Sequence, residues 1–201
     1  ITALCKIDAS ELKKLPMEGP FLLVINHINF LEVPLLYTLL MPRKMTALVK
    51  VENWNNPFFA FLGNLWQGIP IKRGFVDRRA VLAAKEALAE GKILIIAPEG
   101  TRSGNGRLNP GFPGIALLAV ETRLPVYPLA HFGGESFWKN LSSLKRTRIT
   151  VKVGAPFTVD AEKAGLNRKE RRTVTDEIMR RIAELLPERL QGYYAETGKN
   201  D

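Results

Sequence analysis

Short apolar runs, separated by stretches with helical spacing, constrain this chain more than any other feature. Phe21–Asn26 is an apolar run bounded by Pro20 and a polar cluster. Ile93–Ala97 follows the same style, while Met45–Val49, which alternates loosely, Gly68–Ile71, Leu124–Leu129 and Ile149–Val153 are further strand candidates. The unbroken apolar runs Phe21–Asn26 and Ile93–Ala97 read as buried strands. Between them, Asp77–Glu90 carries Val81, Ala84 and Leu88 at helical spacing and closes on Gly91, and Ile115–Thr122 reads as a buried helix. Arg168 to about Gln191 sets Val174, Ile178, Ile182, Leu185 and Leu186 on one side, an amphipathic helix broken or bent near Pro187. Strands alternating with helices predict an α/β fold, a mostly parallel mixed sheet flanked by helices. Residues 1–20 read as a lead-in.

The chain's 201 residues suffice for one domain over 1–201 with a sizeable core. It begins at Ile1, so an N-terminal extension, even a membrane anchor, is compatible with it. No run of 18 apolar residues predicts a spanning helix. The single cysteine, Cys5, excludes an internal disulfide and a Cys-rich metal site, and it has no neighbouring base in sequence. The net charge of +9 favours anionic partners. Its dispersal, without a recognised nucleic-acid module, argues against nucleic acid.

In open α/β sheets, ligands bind beyond the carboxyl ends of strands. Three polar clusters stand at such ends. The first is Asn26-His27-Ile28-Asn29-Phe30-Leu31-Glu32. Histidine exchanges protons near neutrality, and a carboxylate can orient the ring and stabilise its charged form. On an uninterrupted helix, residues five apart lie about 140° apart and could not meet. If Asn29 instead caps a helix running to about Met41, Glu32 lies in the first turn and can point back to a loop histidine. Glu32 at the third position of a capping box also reads as a plain helix cap beside a loop histidine, and spacing alone favours that reading over a catalytic pair because capping boxes are common. No zinc motif is present. The second cluster is Lys72-Arg73-Gly74, and the third Pro98-Glu99-Gly100-Thr101-Arg102-Ser103. Arginine beside glycine suits phosphate, and solvated surface charge is the bland alternative. The uncharged aromatic stretch Trp54–Trp66 fits either a lipid interface or packing under a loop. His131, after a strand and among apolar neighbours, reads as structural.

Together these segments resemble the lysophosphatidic-acid acyltransferase family, the glycerolipid acyltransferases with an N-H-x4-D first motif. Asn26–Glu32 resembles that motif, and Gly68-Ile69-Pro70-Ile71-Lys72-Arg73 the second. Pro98–Ser103 resembles the third and Leu124-Pro125-Val126-Tyr127-Pro128-Leu129 the fourth. Lys50-Val51-Glu52 matches a lysine segment between the first two, and Leu186–Tyr194 is also similar to the family. The departure is Glu32, where the family usually has aspartate.

The resemblance implies direct acyl transfer without a covalent intermediate. His27 is then the general base, and Glu32 orients it. Lys50, Lys72, Arg73 and Arg102 hold the acceptor phosphate, and Glu99, Gly100 and Thr101 shape its pocket. The acceptor is a lysophospholipid, foremost 1-acyl-glycerol 3-phosphate. The co-substrate is acyl-CoA or acyl-carrier protein; no cofactor or metal is bound. Glycerol 3-phosphate or another lysolipid is the alternative acceptor, and a non-catalytic binder of lipid or membrane surface the alternative function. The implied location is the cytoplasmic face of a membrane.

Overall fold

The computed structural model describes residues 4–30, 32–72, 77–159 and 166–195. Seven strands form one sheet: β1 (Cys5–Asp8), β2 (Phe21–Ile25), β3 (Met45–Lys50), β4 (Ile69–Ile71), β5 (Ile93–Ile96), β6 (Val126–Phe132) and β7 (Thr147–Val153). Their spatial order is β1-β7-β6-β2-β5-β3-β4. Every neighbouring pair is parallel except β6 and β7, which gives the mixed, mostly parallel sheet expected.

The two central strands, β2 and β5, are buried at every position. Their residues alternate between two apolar layers because successive side chains leave a strand on opposite faces. Leu22, Val24, Leu94 and Ile96 point to the layer shared with α3 (Arg78–Ala89), α4 (Gly114–Thr122) and α6 (Arg168–Ala183). Phe21, Leu23, Ile25, Ile93 and Ile95 point to the layer shared with Leu36 and Leu40 of α1 (Glu32–Leu40). Fixed caps start two of these helices. The Asp77 carboxylate accepts the N–H groups of Arg79 and Ala80. Asn167 and Glu170 form a reciprocal capping box. The remaining helices are α2 (Pro57–Leu65) and the short α5 (Phe137–Ser142).

The structure corrects four sequence expectations. Residues 5–8 are a strand rather than lead-in, because the parallel edge of β7 supplies a ladder that local sequence does not show. Strand β6 runs on to Phe132, past the expected end at Leu129. Helix α6 ends at Ala183 rather than running on toward Gln191, so of the two expectations at Pro187 the break holds and the bend does not. Helix α1 begins at Glu32 rather than after Asn29, whose side chain donates to Gly134 O at 2.9 Å. Pro34 explains the later start. It stands third in α1, where a backbone N–H has no helical partner. A helix starting at Phe30 would place it where an N–H is required.

Candidate functional site

All carboxyl ends of β2, β3, β4 and β5 lie on one edge of the sheet, and β6, parallel to β2, ends there too. The sequence clusters therefore come together by topology. His27 lies beyond β2, Lys50 ends β3, Lys72 follows β4, and Glu99–Arg102 follow β5. Arg73 and Gly74 lie outside the described residues.

The centre of the site is a buried carboxylate held by two histidines. One oxygen of Glu32 pairs with His27 Nδ1. Its other oxygen accepts the Ile28 N–H at 3.0 Å and faces His131 Nε2 at 2.7 Å. Glu32 is 2% exposed, so these partners replace water completely. Burial pushes its carboxyl upward, but the charge and hydrogen bond of His131, then those of His27, outweigh it and hold the group at about 2. His131 is buried, which pushes its ring down. The Glu32 charge and hydrogen bond outweigh that and raise it above its ordinary value. His27 is the exposed end of the arrangement, with 21% of its side chain open to solvent.

Asn26 and Glu99 fix the histidine segment from below. The Asn26 amide donates to His131 O and accepts from His131 N, both at 2.9 Å. It acts as one more peptide unit, extending the β2–β6 ladder after β2 has ended. Glu99, 1% exposed, accepts His27 N–H at 2.6 Å on one oxygen and Asn109 N–H at 2.8 Å on the other. Burial pushes its carboxyl up to about 7 against those donors. Ser103 N and Gly104 N donate to His27 O and Ile28 O, at 2.8 and 3.0 Å. The loop after β5 thus clamps the backbone on which His27 stands. Glu99 itself is turned to backbone N–H groups, not to open space.

Gly100 separates the buried half of this loop from its exposed half. Its φ of 61° is left-handed, a conformation glycine adopts at no steric cost. Beyond it, Thr101 and Arg102 are exposed. Arg102 has no carboxylate partner among the described residues, and its guanidinium carbon lies 6.0 Å from the Phe59 ring centre. That contact places α2 beside the cation. Lys50 pairs with Glu52 at 3.2 Å on the surface, and Lys72 is exposed, its backbone N–H tied to Asp77. Among the described residues, no cluster of His, Cys, Asp and Glu could hold a metal ion.

The sequence reading missed His131 as part of the site. A usable signal existed: the chain has two histidines, and each follows an apolar run. What local sequence lacks is the adjacency of β2 and β6, whose register pairs Ile25 with Leu129 and so carries His27 and His131 to the same level.

A family model described as acyltransferase matches residues 6–131. A 1-acyl-sn-glycerol-3-phosphate acyltransferase of Cocos nucifera is 33% identical over 146 residues, covering 68% of this chain and 46% of that protein. The enzyme of that name from Bacillus subtilis (strain 168) is 26% identical over 174 residues, covering 86% of this chain and 84% of that protein. The chain spans less than half the length of several plant relatives: 46% of the Cocos nucifera protein, and 38% of the Brassica napus BAT2 protein. The fold is similar to the crystal structure of the 1-acyl-sn-glycerophosphate acyltransferase PlsC from Thermotoga maritima. The TM-score is 0.63 at 23% identity, over 90% of this chain and 72% of that one.

Proposed function

This chain belongs to the acyltransferase family, and from that premise we propose that it transfers a fatty acyl group from an acyl thioester to a lysophospholipid hydroxyl. The acceptor is 1-acyl-glycerol 3-phosphate and the product phosphatidic acid. The observation that carries the reading is the His27–Glu32 pair at the carboxyl end of β2, beside an exposed Arg102.

The chemistry follows from the geometry. Glu32 engages Nδ1, which leaves Nε2 of His27, with no partner among the described residues, to accept a proton. Nε2 takes the proton of the acceptor hydroxyl as its oxygen attacks the thioester carbonyl. The C–S bond then breaks, and the thiolate of acyl-CoA or acyl-carrier protein leaves with that proton. Glu32 stabilises the imidazolium between the two steps. No side chain forms a covalent intermediate. Arg102, Lys50 and Lys72, with Arg73, supply the cations for the acceptor phosphate.

A panel of acceptors and thioester donors tests the assignment, with turnover of 1-acyl-glycerol 3-phosphate expected to exceed that of glycerol 3-phosphate and of zwitterionic lysolipids. Arg102→Ala is expected to raise KM about tenfold for the phosphorylated acceptor, the scale of one charge-assisted hydrogen bond. KM for the acyl donor is expected to stay nearly constant. Equal rises in both constants would remove Arg102 from the phosphate site.

The acceptor is a lipid, and α2 supports a reading in which the protein works on a membrane surface, at its cytoplasmic face. The sequence PFFAFLGNL has no charge. Phe58, Phe61 and Leu65, spaced to share one face, are 61%, 63% and 60% exposed. An apolar helix face beside Arg102, on a chain of net charge +9, suits an anionic bilayer. No helix of the described residues is long and apolar enough to cross a membrane. Phe58→Ser with Phe61→Ser is expected to weaken co-sedimentation with phosphatidylglycerol vesicles at least tenfold, roughly the loss of one to two buried aromatic side chains. Unchanged sedimentation would remove α2 from the membrane contact.

A further inference from the structure

The mechanism above uses Glu32 and His27 and leaves His131 without a role. Yet His131 is the more deeply buried histidine, 3% exposed, and its Nε2 is the closest donor to the second Glu32 oxygen. That nitrogen faces two acceptors, Glu32 Oε2 at 2.7 Å and Asn26 O at 2.9 Å. A nitrogen between two acceptors must carry a hydrogen, so Nε2–H is a donor in either charge state of the ring. The main chain of His131 is itself pinned by the Asn26 amide. The ring therefore has little freedom, and the carboxylate it grips is held at both oxygens.

Resting on the acyl-transfer reading, we propose that His131 is a positioning residue for His27, acting through Glu32, and that this bridge is why glutamate stands at position 32. The shorter aspartate side chain reaches one histidine or the other. The extra methylene of glutamate lets a single carboxylate span His27 on the exposed side and His131 on the buried side. The bridge fixes the carboxylate plane, and with it the tautomer and tilt of the catalytic ring.

The charged groups around His131 are few. Glu32 faces it from the start of α1, and Glu99 acts on it from the loop after β5. Glu135, in the turn after β6, is directed to Gly133 N–H and Arg189. Opposite it on β7 stands apolar Val151. The Glu32 contact and charge raise the ring above its ordinary value, which favours an imidazolium that shares the charge of Glu32 with His27.

The test is a set of variants of the full chain assayed for acyl transfer: His131→Ala, His131→Gln, Glu32→Asp and Glu32→Asp with His131→Ala. His131→Ala is expected to lower kcat about tenfold or more with both KM values unchanged, because only the aim of the base is lost. His131→Gln places an amide N–H near the position of Nε2 and is expected to recover activity to within about threefold of wild type. In the Glu32→Asp background the bridge is already broken, so His131→Ala is expected to cost less than about twofold more. Unchanged kcat in His131→Ala, failure of His131→Gln in a folded protein, or equal costs in both backgrounds would each overturn the proposal.

A readout independent of activity covers variants that do not fold. The chain has two histidines, so His27→Ala leaves a single imidazole signal in nitrogen NMR. That His131 signal is expected to show a protonated Nε2 and to move when Glu32→Ala, which removes the carboxylate, is added to His27→Ala. An unmoved signal would overturn the bridge. If wild type turns over no donor–acceptor pair, the acyl-transfer reading fails while the NMR result still decides the contact. If His27→Ala is inactive and His131→Ala is not, the positioning role fails alone.

Discussion

Replacing His27 with alanine is expected to lower kcat for acyl transfer by about 10²–10⁴-fold, the ordinary contribution of a positioned general base. The fold should survive, for a reason visible in the site. His27 is the partly exposed partner of Glu32, and its removal leaves the carboxylate paired with His131 and the Ile28 N–H. No buried charge is orphaned. The stability loss should be about one hydrogen bond, roughly 0.5–1.5 kcal/mol. Steady-state kinetics on the purified variant, with its circular dichroism melt beside it, checks both halves. Turnover within tenfold of wild type would end the role of His27 as base.

Glu32→Gln should damage both catalysis and stability. The shape is kept, but an amide presents one acceptor and one donor group where the site needs acceptors on both sides. If the amide oxygen faces Ile28 N–H and His131, its NH2 faces His27 Nδ1. The His27 proton must then move to Nε2, the nitrogen that should accept the substrate proton. If the amide turns round, its NH2 meets the Ile28 and His131 donors instead. In the first case the wrong tautomer lowers kcat by about 10²–10⁴-fold, as when the orienting carboxylate of a catalytic triad becomes an amide. In either case His131 loses the charge that compensates it, a loss of about 3–5 kcal/mol for a broken buried pair.

The stability difference has a defined pH window. The Glu32 carboxyl is lowered from 4.5 to about 2 in the folded protein, so its contribution is present above 4.5 and is lost as pH falls toward 2. Seen from His131, raised above 6.5, the same contact is fully present below 6.5 and is lost as pH rises through the folded value. The advantage of wild type over Glu32→Gln should therefore be fullest between pH 4.5 and 6.5. Thermal melts of the two proteins across pH check it, and a difference that does not change with pH would contradict the buried ion pair.

Glutamate at position 32 also separates two kinds of information in this chain. The family motif and its order were legible in sequence, and with them His27, Glu32, Arg102 and the α/β fold. The second partner of Glu32, His131, was not, because it lies on a different strand. The motif residue Glu99 shows the same division. Its position after β5 was legible, but not that its oxygens would be taken by His27 N–H and Asn109 N–H. Side-chain direction at the end of a strand depends on the next turn, here set by the left-handed Gly100.

Local chemistry was enough wherever the cause acts within a few residues. Asp77 and Asn167 cap helices because each side chain reaches N–H groups two and three positions on. Pro34 acts as locally, since only a first-turn position needs no N–H, although the expected start of α1 after Asn29 overlooked it. The double burial of β2 and β5 was written in their unbroken apolar runs. Tertiary structure alone decided strand order, and strand order decided the site. Placing β6 rather than β3 beside β2 joins His131 to Glu32. Nothing in the periodicity of either strand encodes its neighbour, since a buried apolar strand fits beside any other. Likewise α2 is apolar almost throughout, so only its seating could show that Phe58, Phe61 and Leu65 face outward.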